Sequence, residues 1–329
     1  MMMMRKMMVV ALAMTLTIGG CKAGEQTDNA EEKTAGGLLR ESREVGEFSG
    51  ISLIGACKVV CTPGSKASVV VETPKQELEK LQTEVRNGVL TISRKKIAGV
   101  RVIYGKDDER TTVYVTVPTL KKVSLVGSGD IVVKGEVKSD DALEVSLSGS
   151  GDIMMDNVDV KFAKFSLAGS GDIKVVSAKG RQVELSLAGS GDMGVKSVDA
   201  DGAKVTLAGS GDVQVEQVKA ANVSVSVAGS GDMEIGKVNC AVLTVNQTSS
   251  SDLAINNVKA VNTSVSKVGS GDLKIAGTTV TYNKTSHGSG KIHDKNLKYD
   301  EIKQTGGRSR TTVRTTLPAT SPNGIEAQP

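Results

Sequence analysis

The sequence predicts an all-β chain wound as a right-handed parallel β-helix, a β-solenoid, with coils of about 20 residues. Three observations carry that prediction. A four-residue motif recurs at nearly constant spacing, apolar residues recur at period two around it, and large aromatic side chains are scarce. The 329 residues include no Trp, 3 Phe and 4 Tyr, against 37 Gly. Aromatic rings supply much of the volume of an ordinary globular core. A thin lumen filled layer by layer with Val, Leu, Ile and Ala does without them.

The motif is Gly-Ser-Gly-Asp. It starts at Gly127, Gly149, Gly169, Gly189, Gly209, Gly229 and Gly269. Ser249-Ser250-Ser251-Asp252 keeps the same register, and Gly288-Ser289-Gly290-Lys291 is an altered ninth copy. The first interval is 22 residues, the next six are 20 and the last is 19.

Apolar residues mark the strands. Four before each motif start stand Val123, Val145, Phe165, Leu185, Val205, Val225, Val245 and Val265, and two before it Leu125, Leu147, Leu167, Leu187, Leu207 and Val227. Four after it stand Ile131, Ile153, Ile173, Met193, Val213, Met233, Leu253, Leu273 and Ile292. Six after it stand Val133, Met155, Val175, Val195, Val215, Ile235, Ile255 and Ile275. Alternation of this kind is strand periodicity, not a helical stripe. Both motif glycines fall in inward slots of that alternation, where a bend is expected to leave no room for a Cβ. Val158, Ala178, Val198, Val218, Val238 and Val258 break the parity, so the chain turns again there. Two or three short strands per coil are expected, stacked about 4.8 Å apart.

Charges agree with the register. Lys122, Glu144, Lys164, Glu184 and Lys204 alternate in sign at one outward position, and Asp159, Lys179, Asp199 and Lys219 alternate at another. Opposite charges on neighbouring strands attract. A Ser-rich column runs from Ser124 to Ser266. No proline interrupts the chain between Pro118 and Pro318, as continuous ladders require. Towards the C-terminus Gln247 and Lys267 enter an inward column and Asp294 an apolar slot, which reads as capping.

The segments divide accordingly. Residues 1–20 read as a signal peptide, 21–43 as a lipidated cysteine and flexible tether, and 44–120 as an irregular β cap. Residues 121–302 form the regular helix, and 303–329 a disordered tail. In the cap, strand-like runs cover Ile51–Cys61, Ser68–Glu72, Gly88–Arg94 and Thr111–Val117, and Lys75–Leu81 allows one or two helical turns. The leader places Arg5 and Lys6 before an apolar run from Met7 to Ile18, too short to span a bilayer. Gly19-Gly20-Cys21 then resembles a bacterial lipoprotein signal, which implies Cys21 as the lipid attachment point (palmitate among its acyl groups).

The aspartate column is the clearest site candidate: Asp130, Asp152, Asp172, Asp192, Asp212, Asp232, Asp252 and Asp272. Carboxylates one coil apart repel by about 0.9 kcal/mol at water's dielectric. Two offsets are open. Each carboxylate accepts backbone N–H bonds at its turn, or cations such as calcium sit between coils. Calcium takes six to eight oxygens, and one carboxylate per coil with Ser hydroxyls and carbonyls is a thin supply.

Other chemistry is weaker. The formal charge is +4, of which Arg5 and Lys6 supply two, too little for a nucleic-acid binder. Cys57, Cys61 and Cys240 are an odd set, and they read as ordinary thiols with no further metal ligands nearby. His287 and His293, beside Asp294, allow a two-His metal or acid–base site, but exposed capping suits them better. A carbohydrate-active enzyme would need a carboxylate pair or base in a groove that sets one coil apart. No catalytic residue can be named. The Ser-rich face lacks the Thr-x-Thr rows of ice-binding solenoids.

One family likeness stands on specific residues. Val45-Gly46 with Phe48, Ile51-Ser52-Leu53-Ile54-Gly55, Leu90-Thr91-Ile92 and Tyr114-Val115-Thr116-Val117-Pro118 lead into Val123-Ser124-Leu125-Val126 and the first motif. Over about residues 44–290 this resembles the head GIN domain family of auto-transporter adhesins, common among Bacteroidota lipoproteins. The resemblance implies an extracytoplasmic parallel β-helix with no catalytic residues. Cys57 and Cys61 depart from its pattern. The expected function is a lipid-anchored outer-membrane module whose repeated ladders bind a glycan, a matrix component or an envelope protein. A periplasmic or envelope structural role is the alternative, and the membrane face stays open.

Overall fold

In the computed structural model the described residues are 32–33, 37–95 and 110–302. The leader, Cys21 and the tail at 303–329 lie outside them. The strands in chain order are β1 (Glu32–Lys33), β2 (Leu39–Arg43), β3 (Gly50–Gly55), β4 (Lys58–Pro63), β5 (Ser68–Thr73), β6 (Leu81–Arg86), β7 (Val89–Arg94), β8 (Thr112–Val117) and β9 (Lys122–Gly127). The long coil strands follow: β10 (Asp130–Leu147), β11 (Ile153–Leu167), β12 (Ile173–Leu187), β13 (Met193–Leu207), β14 (Val213–Val227), β15 (Met233–Thr248), β16 (Leu253–Val268) and β17 (Leu273–His287). Two short strands, β18 (Ile292–His293) and β19 (Leu297–Ile302), end the described chain.

From β10 to β17 each strand pairs in parallel with the next. Partners such as Val205 and Val225 stand one 20-residue coil apart. The fold is an all-β, mostly parallel solenoid. Its strands are longer than the sequence suggests. The strand continues round two corners, where single residues drop out of the pairing, so each coil is one strand of at least 15 residues closed by the Gly-Ser-Gly turn. In β14 the corners are the outward pairs Glu216-Gln217 and Ala221-Asn222, where alternation slips by one residue.

The lumen is the core. The four apolar columns read from the sequence are buried except for the half-buried Ile292 at the last turn, and so is the Val158–Val258 column. Two further inward columns escape the period-two reading: Leu143, Ala163, Val183, Ala203, Val223, Leu243 and, less regularly, Val160, Ala220 and Cys240. The first stands six residues before each motif start, at the inner edge of a corner, and the second lies between the two corners, where counting from the motif loses parity. Within the long coils β10 to β17 buried polar side chains come late, with Gln247, Thr263, Lys267 and Thr279 among them. Gln247 Nε2 donates to the Ser251 and Asp272 carbonyls, Thr263 to Thr279, and Lys267 Nζ to the Gly269 carbonyl at 3.2 Å. Tyr282, fully buried, stacks against Tyr299 at 5.3 Å beneath β19.

The irregular intervals are corner events. Between β10 and β11 the register shifts once between Val133 and Glu136 and again between Ser139 and Ala142. One extra residue at each corner accounts for the 22-residue interval. Between β16 and β17 one residue is lost after Ile255, giving the interval of 19.

The N-terminal segment is more ordered than an irregular cap. Strand β3 lies parallel to β9 with Gly55 opposite Gly127, and β4 lies parallel to β10 with Lys58 opposite Asp130. Gly55-Ala56-Cys57-Lys58 is therefore a further turn of the solenoid, and Ser128 and Gly129 both donate to the Gly55 carbonyl. Beneath it, β7 and β8 make another parallel layer. Antiparallel strands then close the stack, β6 on β7 and β5 on β8, with β2 outside β5. Part of the expected tether is thus structured: Leu39 is buried, and β2 pairs along its length with β5. A single helical turn, Lys75–Leu78, occupies the expected helical position.

Candidate functional site

The turn explains the motif. In the central coils the glycines do not need a left-handed backbone; they need space along the stack. A Cβ on Gly211 would stand 1.9 Å from the Gly191 carbonyl oxygen, and one on Gly229 1.9 Å from that of Gly209. The excluded volume belongs to the coil beneath, not to the inside of the bend as the sequence suggests. That close approach lets Ser210 donate to Gly189 O at 2.9 Å, and each neighbouring turn repeats the bond.

Stacking the turns this way leaves the next N–H, on the aspartate, without a carbonyl below it. The aspartate of the preceding coil fills the gap. Asp172 N–H donates to Asp152 Oδ1 at 2.9 Å, Asp192 to Asp172 at 3.0 Å, and Asp212 to Asp192 at 2.9 Å. Asp232, Asp252 and Asp272 continue the pattern at 2.8, 2.9 and 2.7 Å. The series begins with Asp152 on Asp130 at 3.2 Å and ends with Lys291 N–H on Asp272 at 2.7 Å. The acceptor is therefore local in space but 20 residues away in sequence. Lys58 and Lys291 occupy the aspartate position at the two ends, so the acidic column is bracketed by cations.

Each Oδ1 is committed to the stack, and Oδ2 is left to side chains or solvent. A groove of about 530 Å³ runs beside the column, lined by Asp172, Asp192, Asp212, Asp232 and Asp252 with Lys174, Gln214 and Glu234. Lys174 Nζ reaches Asp172 Oδ2 at 2.9 Å. The Asp172 carboxyl titrates below the ordinary carboxylate range: partial burial opposes that shift, and the Lys174 amine with the Asp192 N–H outweigh it. Asp272 is also lowered, first by the Lys291 N–H and then by His293, whose Nε2 lies 2.9 Å from Oδ2. Except at Asp172 and Asp272, the column offers one uncommitted carboxylate oxygen per coil. Among the described residues no group of three or more His, Cys, Asp or Glu side chains is arranged to hold a metal ion.

A family model described as "Putative auto-transporter adhesin, head GIN domain" matches residues 47–235 and again 224–321. The chain belongs to this family. Among solved structures, a "putative adhesin" from Parabacteroides merdae ATCC 43184 superposes with a TM-score of 0.59 at 20% identity, covering 80% of this chain and 99% of its own. A "putative adhesin" from Parabacteroides distasonis ATCC 8503 gives 0.59 at 20%, covering 78% and 96%. A "putative lipid binding protein" from the same organism gives 0.54 at 21%, covering 83% and 98%. At these identities the likeness is one of fold. No curated protein matches the chain.

The remaining candidates of this head GIN domain chain are dispersed. His287 precedes and His293 follows the last turn, and they pair with different positions of the neighbouring coils. Cys57, Cys61 and Cys240 are buried thiols outside any disulfide. Burial pushes the Cys61 thiol up to about 12 and Cys240 up to about 11, so neither is a ready nucleophile. Of the alternating charge columns, Lys204–Glu184 closes at 3.0 Å and Lys219–Asp199 at 3.4 Å. The periodic reading missed one feature altogether, a cleft of about 650 Å³ at the corner near Lys161 and Arg181. Its residues sit where parity breaks. The signal available was a lone outward phenylalanine, Phe162, beside two successive cations in one column.

Proposed function

We propose that this chain is a non-catalytic, lipid-anchored binding module of the cell envelope, held through Cys21 and presenting its solenoid side to a glycan, a matrix component or another envelope protein. The observation that carries this reading is the repetition of one outward constellation, an aspartate with a free Oδ2 beside a continuous groove, on four successive coils at Asp192, Asp212, Asp232 and Asp252. Repetition at a fixed rise suits an extended or repeating ligand, whereas an active site needs one coil unlike the rest. Family membership and the adhesin descriptions of the structural relatives support the same reading.

Two experiments test it. Cell fractionation should find the native chain in the membrane and the Cys21→Ala chain released. Release of neither would defeat the lipid anchor. The full mature chain should bind a member of a glycan and matrix-protein array, with binding reduced when Asp192, Asp212 and Asp232 are changed together to Asn. An array with no ligand would defeat the binding module. It would favour an envelope structural role, for which the commitment of every Oδ1 to coil stacking already speaks.

A further inference from the structure

The corner cleft departs from the charge pattern of the rest of the solenoid. Its neighbouring column alternates in sign, with Lys138 against Asp159 at 4.0 Å and Lys219 against Asp199 at 3.4 Å. At the cleft the order is Asp140, Lys161, Arg181, Asp201, so two cations meet on adjacent coils. The pairing of Phe162 with Gln182 sets Lys161 directly beside Arg181. Like charges in adjacent register repel, and among the described residues neither cation has an ion-pair partner. Val160 and Gly180 line the cleft with them, as do Lys138, Asp140 and Asp159, so cations outnumber carboxylates by three to two. Gly180 is fixed by space, since a Cβ there would meet the Val160 carbonyl oxygen at 2.1 Å.

A hydrophobic surface adjoins the cations. Phe48 and Phe165 are buried, whereas Phe162 is 44% exposed, with the Lys161 amine 5.6 Å from its ring centroid. Leaving a phenylalanine in water forgoes the stabilisation its burial would give. Its ring offers a flat apolar platform beside paired donors, one of them a planar guanidinium suited to bidentate carboxylate or sulfate contacts. Sugars have the complementary form, an apolar C–H face with charged groups at the edge.

We propose that Lys161, Arg181 and Phe162 form a binding site for an anionic saccharide, uronate or sulfated, with the acidic group held by the two cations and a ring stacked on Phe162. This rests on the reading of the chain as a binding module and adds to it a second site with a ligand class of its own. The site is separate from the aspartate groove, whose charge would repel the same ligand.

The test is calorimetric titration of the full mature chain with oligogalacturonate and with a heparin-derived oligosaccharide, against a neutral malto-oligosaccharide. Binding of at least one anionic probe is expected, with none of the neutral one. Lys161→Gln with Arg181→Gln should weaken it tenfold or more, and Phe162→Ala several-fold. Lys204→Gln with Lys219→Gln, which removes the same charge elsewhere, should leave it unchanged. The site is overturned if neither anionic probe binds, if the Lys161/Arg181 variant binds as well as the native chain, or if the Lys204/Lys219 variant loses as much. Retention on phosphatidylglycerol vesicles through these residues, without oligosaccharide binding, would overturn it in favour of a lipid surface. Unchanged circular dichroism spectra exclude misfolding as the cause of any loss. Cells carrying the Lys161/Arg181 variant that still adhere would defeat this site and leave the adhesin reading standing. Saccharide binding by a chain found to be periplasmic would do the reverse.

Discussion

The backbone N–H of Asp212 donates to Oδ1 of Asp192, one coil earlier, at 2.9 Å. The bond reconciles eight stacked carboxylates with a stable structure. Repulsion between neighbours is about 0.9 kcal/mol at water's dielectric, while a hydrogen bond to a charged group contributes about 1.5–3 kcal/mol. Solvent exposure reduces both, and the hydrogen bond remains the larger.

Asp212→Ala therefore removes an acceptor and strands the Asp232 N–H. A loss of about 1 kcal/mol is expected, since the relieved repulsion returns part of the bond. Asp212→Asn keeps an amide oxygen in place and is expected to stay within about 0.5 kcal/mol of the native chain. Urea denaturation of both variants checks the difference. Equal destabilisation would show that charge, not the acceptor, matters.

Glycines separate by what lies beneath them. Gly211→Ala drives a Cβ into the Gly191 carbonyl, whereas Gly194→Ala meets nothing nearer than the Lys174 Cγ at 3.8 Å. The first is expected to cost about 2–3 kcal/mol by overpacking. The second should be neutral or stabilising by about 0.5 kcal/mol, through loss of unfolded-state freedom. Thermal melts of the pair give the comparison.

Acid should weaken the ladder from a definite side. The Asp172 and Asp272 carboxyls are lowered in the folded chain. Groups of this kind contribute stability above the unfolded carboxyl value of about 3.9, and lose it as pH falls through the lower folded value. Stability at these sites should be constant from neutral pH to about 5 and decline below about 4. Lys174→Gln should raise the Asp172 titration midpoint and leave Asp272 unmoved. Carboxylate NMR titration reads both.

Burial should protect two thiols. With Cys61 raised to about 12 and Cys240 to about 11, iodoacetamide at pH 8 is expected to leave both unmodified in the folded chain and to label both in denaturant. Mass spectrometry after a timed reaction decides it. Rapid labelling of Cys61 in the folded chain would contradict its place in the lumen.

How legible each part was depended on whether the repeat passed through it. The coils could be read because Val205, Val225 and their equivalents keep one parity and one spacing. Gly55–Lys58 was missed because only its first glycine matches the motif, although Gly55 stands opposite Gly127. The layer of β7 and β8 was hidden because its two strands are far apart in sequence. Parallel and antiparallel strands of six residues share one period, so the closing pairs β5–β8 and β6–β7 could not be told from first coils. The aspartates were visible as a column, but their acceptor role depends on the rise between coils and on the missing carbonyl at the turn. Neither is written in the order of residues. Lys161, Phe162 and Arg181 fall at a corner, where a rule based on alternation is silent.

The most direct test of the account is the accessibility of the solenoid on intact cells. A cleavage site for a specific protease, placed with a detectable tag after residue 302 in the native host, would be exposed to that enzyme, with a periplasmic protein as control. Cleavage before the envelope is opened, with the control preserved, is the predicted result and would put the coils where an external ligand can reach them. Cleavage only after the envelope is opened would contradict the surface-binding account and leave a structural role within the envelope.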